Sequence, residues 1–311
     1  MPERNFPVLF GHSKIMSSIT SGLLNPLKWF RAFQFQRRQK SFDKSSFDLE
    51  LYLYSKILRN DMLHYGYFDN PDIDPVDLSI RQFEDAQVRY ARKIMEHIQN
   101  KELGVLDVGC GMGGLSAMML AENLKVEALT PNTNQVNYIR IKIPGLGIHH
   151  MKFEEFRADK KFGTIINSES LQYIRLEDAF ENVENALAGG GRWIIADYFR
   201  TTDMAKHRSG HQMADFLRMA GERGWKIVYE EDISRHILPT IRYVYMYAER
   251  FLLPLKHFGF EKLRFKKPWL YYMTESIREK ADAKIEKELR AVDPELFLNE
   301  KKYVLMVLER N

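Results

Sequence analysis

The sequence predicts an α/β protein: an open seven-stranded sheet with a helical cap before it and a helical insertion ahead of its last strand. Three observations predict this. Val105 to Ala121 reads as a strand, a glycine turn and a helix, the opening unit of a dinucleotide-type sheet. Strand and helix patterns then alternate to about residue 233. Mainly helical patterns occupy the stretch before residue 100 and the 65 or so residues from Arg235 to Lys301, the latter too long for a simple hairpin connection.

The first 100 residues read as mostly helical. Within Ile19 to Lys40, Leu23, Leu24, Leu27, Trp29, Phe30, Phe33 and Phe35 are interleaved with Lys28, Arg31, Arg37, Arg38 and Lys40. Such a basic amphipathic segment either lies on an anionic membrane surface or packs on the body with its charges in water. Asp61 to Asp69 is an aromatic loop containing His64, and a Pro/Asp-rich stretch follows it. Leu78 to Asn100 has apolar residues at helical spacing.

Val105, Leu106 and Val108 form the first strand. Gly109, Gly111 and Gly113 then let the backbone turn sharply and approach a ligand with no Cβ in the way. The spacing suits a ligand without a pyrophosphate, and Asp107 precedes the turn, placed to hold it or to meet a cation. Val126 to Leu129 is the second strand. Thr130, Asn132, Asn134 and Gln135 follow it, either as partners for ribose hydroxyls or as a helix cap. Ile148 to Phe156 gives a third strand and turn, where Phe153 offers a flat apolar face and Glu154 an acceptor, a pairing suited to adenine. Phe162 to Asn167 is the fourth strand, with Ser168 to Ile174 at the sheet edge where ligands bind in such folds. A helix over Leu176 to Leu187 is expected to stop at Gly189-Gly190-Gly191. The remaining expectations are a strand at Arg192 to Tyr198, a loop holding His207 and His211, a helix at Met213 to Arg223, and strands at Trp225 to Glu230 and Tyr303 to Leu308. The insertion, rich in Tyr243, Tyr245, Tyr247, Phe251, Trp269, Tyr271 and Tyr272, reads as a lid that packs on the body and partly faces an acceptor pocket.

Composition bounds the function. A hydrophobic content of 45% over 311 residues supports a full core, and a formal charge of +4 falls short of a dedicated nucleic-acid binder. The single cysteine, Cys110, excludes an intramolecular disulfide and fits a reducing compartment. Its place inside the glycine turn, where a small side chain is needed, argues against a catalytic thiol. No apolar run approaches the length that spans a bilayer, and no signal-peptide pattern opens the chain. No metal centre is expected. A cytoplasmic protein is expected, with residues 19–40 as a peripheral membrane contact; its oligomeric state is not legible.

The run Asp107-x-Gly109-x-Gly111-x-Gly113 resembles motif I of the class I S-adenosylmethionine (SAM) methyltransferases, whose core is Rossmann-like. L-H-Y-G-Y-F, L-T-P-N-T-N-Q, K-F-E-E-F and E-D-I-S in this order are similar to the branch containing cyclopropane-fatty-acid and mycolic-acid synthases and tocopherol and sterol C-methyltransferases. The resemblance covers about residues 55–311. It implies SAM as cofactor, with Asp107, Gly109, Cys110, Gly111 and Gly113 at its amino-acid portion. It puts Thr130 and Gln135 at the ribose, and Phe153 and Glu154 at the adenine. Ser168 and Glu169 would lie beside the sulfonium, and Leu63, His64 and Tyr65 would close over it. The chain is expected to divide into a helical cap (1–100), a cofactor core (101–233), a substrate lid (234–300) and the last core strand (301–311), the resemblance not reaching residues 1 to about 50.

Cyclopropane-forming members hold a bicarbonate with a cysteine, and with a glutamate beside a histidine. The matching positions here are Tyr65, Gln172 and Tyr173, so methylation without ring closure is expected. The implied acceptor is small and hydrophobic: a lipid, isoprenoid or polyketide-like molecule. The alternatives are an aromatic specialised metabolite methylated on O or N, and a non-catalytic SAM-binding or membrane-docked subunit. Candidate bases are Glu169, Tyr173, His64, His207 and His211. The absence of a D/N-P-P-Y/F motif after the fourth strand argues against nucleic-acid methylation.

Overall fold

The glycine-turn unit lies at the centre of the sheet. The computed structural model describes residues 26–38, 60–203 and 209–310. The chain divides into two units, Met1–Leu49 and Glu50–Asn311. The described part of the first is one helix, α1 (Pro26–Arg38), with Leu27, Phe30 and Phe33 exposed. This agrees with the amphipathic pattern read there; the rest of 19–40 lies outside the described residues.

In the second unit the described residues start with an extended segment and then α2 (Ile80–Met95). Residues 60–79 are not helical. Gly66, Pro71 and Pro75 break regular structure, and Asn70 and Asp74 accept from backbone N–H groups two residues on, closing turns instead. Helix α2 starts where Ser79 and Gln82 cap each other reciprocally.

The strands are β1 (Val105–Val108), β2 (Val126–Leu129), β3 (Gly147–His149), β4 (Phe162–Ser168), β5 (Leu187–Arg200), β6 (Trp225–Asp232) and β7 (Lys301–Arg310). They form one sheet in the order β3-β2-β1-β4-β5-β7-β6, with β7 antiparallel to both of its neighbours. All four residues of β1 are buried, as a central parallel strand covered on both faces requires.

Helices α3 (Gly114–Ala121), α4 (Thr133–Lys142), α5 (Leu176–Ala186) and α6 (Met213–Glu222) complete the core. One face of the sheet packs Tyr90 and Ile94 of α2 with Leu115 and Met119 of α3. The other packs Phe180 of α5 and Phe216 of α6 around Trp193 and Trp225. The alternation of strands and helices read from the sequence is thus the observed one.

Three expectations change. The glycine triplet does not stop α5, which ends at Ala186 as Leu187 turns extended. Gly189 to Gly191 lie inside β5, where the pairing with β4 jumps from Leu187 to Arg192. A side chain at Gly191 would meet the Gly163 carbonyl at 2.9 Å, so glycine serves strand approach here. The third strand covers only Gly147–His149, and Phe153–Glu155 form a short 3-10 turn.

The insertion consists of α7 (Ser234–Tyr247), α8 (Leu253–Lys266), α9 (Pro268–Met273), α10 (Glu275–Ala291) and α11 (Pro294–Glu300). Its aromatics do not all pack on the body. Ile237 and Ile241 of α7 join the core, but no residue of α8 or α9 is buried.

Candidate active site

The carboxyl ends of β1, β2 and β4 bring most of the candidate residues together. Gly109 has φ +76°, and a Cβ there would lie 2.4 Å from the Ser170 Cβ. Gly111 has φ +57°, and a Cβ there would sit 3.0 Å from Leu63 Cδ1. Both positions therefore need glycine, for backbone conformation and for close approach. Gly113 caps the start of α3. Asp107 is buried and accepts from Ser116 Oγ at 2.5 Å, tying the strand to the helix behind the turn. Burial pushes its carboxyl up to about 6, against the Ser116 hydrogen bond. Desolvation and then the Asp107 charge push the Cys110 thiol well above its ordinary value, which keeps it protonated.

Thr130 at the end of β2 is buried and donates to Gln135 Oε1 at 2.7 Å. Asn132 caps α4, accepting from the Asn134 and Gln135 amides. The polar cluster is therefore a helix cap, and it also fixes Gln135. Phe153 is buried beside Phe156, with ring centroids 6.2 Å apart, and Glu154 is half-buried next to it.

Glu169 is the junction of the site. It follows β4 with φ +53°, rare for a residue with a side chain, and its amide donates to the Ala196 carbonyl. Its Oε1 accepts from the Tyr65 amide at 2.7 Å and from the Tyr303 hydroxyl at 2.9 Å. The Tyr90 hydroxyl lies 2.7 Å from that of Tyr303 and 3.2 Å from Ser168 Oγ, completing a chain from Ser168 to Glu169. Burial first, and then the Glu169 charge, push both phenols well above their ordinary range, so they remain protonated donors.

The segment 60–68 lies over this junction. Gln87 of α2, fully buried, donates through Nε2 to the carbonyls of Met62 at 2.8 Å and His64 at 2.7 Å. The Gly66 amide donates to Thr240 Oγ1 of α7 at 3.1 Å. The His64 ring stacks on Tyr90 with centroids 4.4 Å apart, and its Nδ1 lies 2.8 Å from the Tyr65 carbonyl. Burial lowers its pKa to about 4, so the ring is uncharged at neutral pH.

Two other candidate bases, His211 and Tyr173, lie apart. His211 Nε2 is 3.0 and 2.9 Å from the carbonyls of Leu171 and Ile174, a donor already engaged in holding that turn. Tyr173 is 79% exposed. His207 lies outside the described residues. Among the described residues, no group of three His, Cys, Asp or Glu side chains could hold a metal ion.

Sequence reasoning missed Gln87, Tyr90, Tyr303 and Lys301. Gln87 and Tyr90 fall on the apolar stripe of α2, and a polar residue on a buried stripe is the signal that could have found them. Lys301 is buried on β7, its Nζ 2.7 Å from Ser209 Oγ and 4.3 Å from the centre of the Tyr198 ring; burial lowers its pKa to about 8. Asp197 on β5 is buried and accepts from the Gln172 and Tyr198 amides, yet desolvation raises its pKa to about 7.

Residues 105–191 match the methyltransferase domain family. A sterol 4-C-methyltransferase of Caenorhabditis elegans is 26% identical over 148 residues, covering 42% of this chain and 43% of that protein. An uncharacterized methyltransferase of Staphylococcus carnosus is 24% identical over 119 residues, covering 37% of this chain and 57% of that one. The chain thus spans about half the length of these two curated relatives. Two solved structures share the fold. Geranyl diphosphate C-methyltransferase from Streptomyces coelicolor aligns with a TM-score of 0.56 at 18% identity, over 80% of this chain and 89% of that one. A cyclopropane synthase from Mycobacterium tuberculosis aligns with a TM-score of 0.60 at 12% identity, over 85% and 95%. The chain carries a methyltransferase domain and has the class I methyltransferase fold, as its motifs imply.

Proposed function

We propose that the protein is a SAM-dependent methyltransferase that methylates carbon or oxygen of a small hydrophobic acceptor, without forming a cyclopropane ring. The observation that carries this reading is the glycine cradle beside the Glu169–Tyr303–Tyr90 junction. Positive φ at Gly109 and Gly111, with each packed against Ser170 or Leu63, folds the backbone into a tight turn at the carboxyl end of β1, and its bare Cα edge suits a ligand that approaches the backbone closely. Gly109, Cys110, Gly111 and Gly113, with Asp107 behind them, would hold the amino-acid end of SAM. Thr130 and Gln135 would serve its ribose, Phe153 and Glu154 its adenine, and Ser168 and Glu169 its reacting end. When bound, the cofactor supplies an electrophilic methyl group on a cationic sulfur.

The chain's own residues then position, shield and neutralise. Leu63, His64 and Tyr65 close the cradle and exclude water. An uncharged His64 adds no repulsion next to a cation. Glu169, fixed by the Tyr65 amide and the Tyr303 hydroxyl, takes the proton that an acceptor carbon or hydroxyl gives up. In this reading residues 1–100 are the cap, 101–233 and 301–311 the cofactor core, and 234–300 the acceptor lid, of which α7 touches the cap at Thr240. The hydrophobic acceptor is supported by the names of relatives acting on sterol and geranyl diphosphate. The exposed Leu27, Phe30 and Phe33 of α1 support a peripheral membrane contact within residues 19–40. No helix among the described residues is long and apolar enough to cross a membrane.

The test is incubation with methyl-labelled SAM and cell extract split into lipid and polar pools. Label in the lipid pool, as a single added methyl by mass, is the expected result. Label confined to the polar pool would transfer the reading to a specialised metabolite.

A further inference from the structure

The insertion carries a surface that the proposed site does not use. Phe251, Leu255, Phe258 and Phe265 recur at helical spacing along α8 and the turn leading into it, and they are 52%, 65%, 63% and 76% exposed. Trp269 and Tyr272 of α9 continue the exposed series at 48% and 74%. Lys262 fills the open step of the stripe between Phe258 and Phe265, its Nζ 5.7 Å from the centre of the Phe258 ring. The Arg264 guanidinium lies 4.9 Å from the centre of the Phe265 ring. Residues 251–273 hold five Lys or Arg against one Glu, a net charge of +4, as much as the whole chain carries.

We infer that this helical segment, residues 251–273, docks on a bilayer surface containing anionic lipid. Large apolar rings exposed in series cost free energy in water and are relieved at the headgroup–acyl boundary. Lysine and arginine stems can cover such rings while their charged ends reach outward to anionic headgroups. The net charge selects this occupant over a second copy of the chain, because a self-complementary contact would set +4 against +4. The inference does not rest on the methyltransferase reading, since vesicle binding is read without SAM or acceptor.

The test uses the full chain with sedimented vesicles of phosphatidylcholine alone, or with about one-third phosphatidylglycerol. Binding is expected only to the anionic vesicles, and it should fall as salt is raised. Phe258→Glu with Phe265→Glu should lower the partition coefficient at least about tenfold, with an unchanged thermal melt because both positions are exposed. A parallel Phe30→Glu/Phe33→Glu variant separates any contribution of α1. Four results would overturn the inference: equal sedimentation with both vesicle types; full binding by the α8 variant; loss of all binding in the α1 variant alone; or a dimer in solution that the α8 variant splits while vesicles bind neither form.

Discussion

Replacing Gln87 with Met should open the segment over the glycine cradle without cutting the core. Gln87 is fully buried, and Met keeps most of its volume. The substitution removes the Nε2 donor shared by the Met62 carbonyl at 2.8 Å and the His64 carbonyl at 2.7 Å. Each buried carbonyl left without a partner costs about 1–3 kcal/mol, so the closed segment loses about 2–6 kcal/mol. The segment can escape that cost by opening to water, which limits the loss of global stability. If closure over the cofactor is part of binding, even the lower figure weakens SAM affinity by about 30-fold. Calorimetry would read that change, and hydrogen exchange would show faster amide exchange at Tyr65 to Phe68. Fast exchange in that segment together with SAM affinity within about twofold of the parent would refute the idea that residues 63–65 close on the cofactor.

Three further outcomes are expected. Tyr303→Phe removes a donor to Glu169 Oε1, and the loss of a hydrogen bond to a charged group should lower kcat by about 10- to 100-fold with SAM affinity nearly unchanged; an unchanged kcat would take Tyr303 out of the positioning of Glu169. His64 is lowered from 6.5 to about 4, so its stabilising contribution is complete above about pH 6.5 and is lost as pH falls toward 4. A shift of this size amounts to about 3 kcal/mol, which a pH series of urea melts should show in the parent and not in His64→Phe. Gly109→Ala, with φ +76° and a contact at 2.4 Å, should cost at least about 2 kcal/mol in the same melts, whereas Gly189→Ala, with no neighbour within 4 Å, should stay within about 0.5 kcal/mol of the parent.

The parts legible in the sequence were those written in local period and local turn chemistry. β1, its glycine turn and α3 form one continuous stretch, and the apolar runs of β2, β4 and β7 fall where they were read, β2 unchanged, β4 longer by one residue and β7 by two at each end. The Asn132 cap was legible for the same reason, since its partners are two and three residues away. The centre of the site was not. Glu169 meets Tyr65 across 104 residues and Tyr303 across 134; strand order brings up Tyr303, and the bonds from Gln87 and to Thr240 hold the segment that carries Tyr65. Nothing local marks Tyr303 as different from its apolar neighbours in β7. The glycine triplet misled because a helix stop and a strand bulge use the same residue for different reasons. The insertion misled because aromatic spacing gives a helix its stripe without saying whether a protein core or another surface will cover it.

Titration of the purified full chain with SAM, beside Gly111→Trp, tests most directly whether the glycine turn is the SAM site. The Gly111 Cβ position already lies 3.0 Å from Leu63 Cδ1, so an indole there must displace Leu63 and distort the turn. Saturable one-to-one binding is expected of the parent and none of the variant, whose circular dichroism spectrum should match the parent's at the assay temperature although its melt is lowered by a side chain at φ +57°. SAM binding by a folded Gly111→Trp variant at the parent's affinity would contradict that placement.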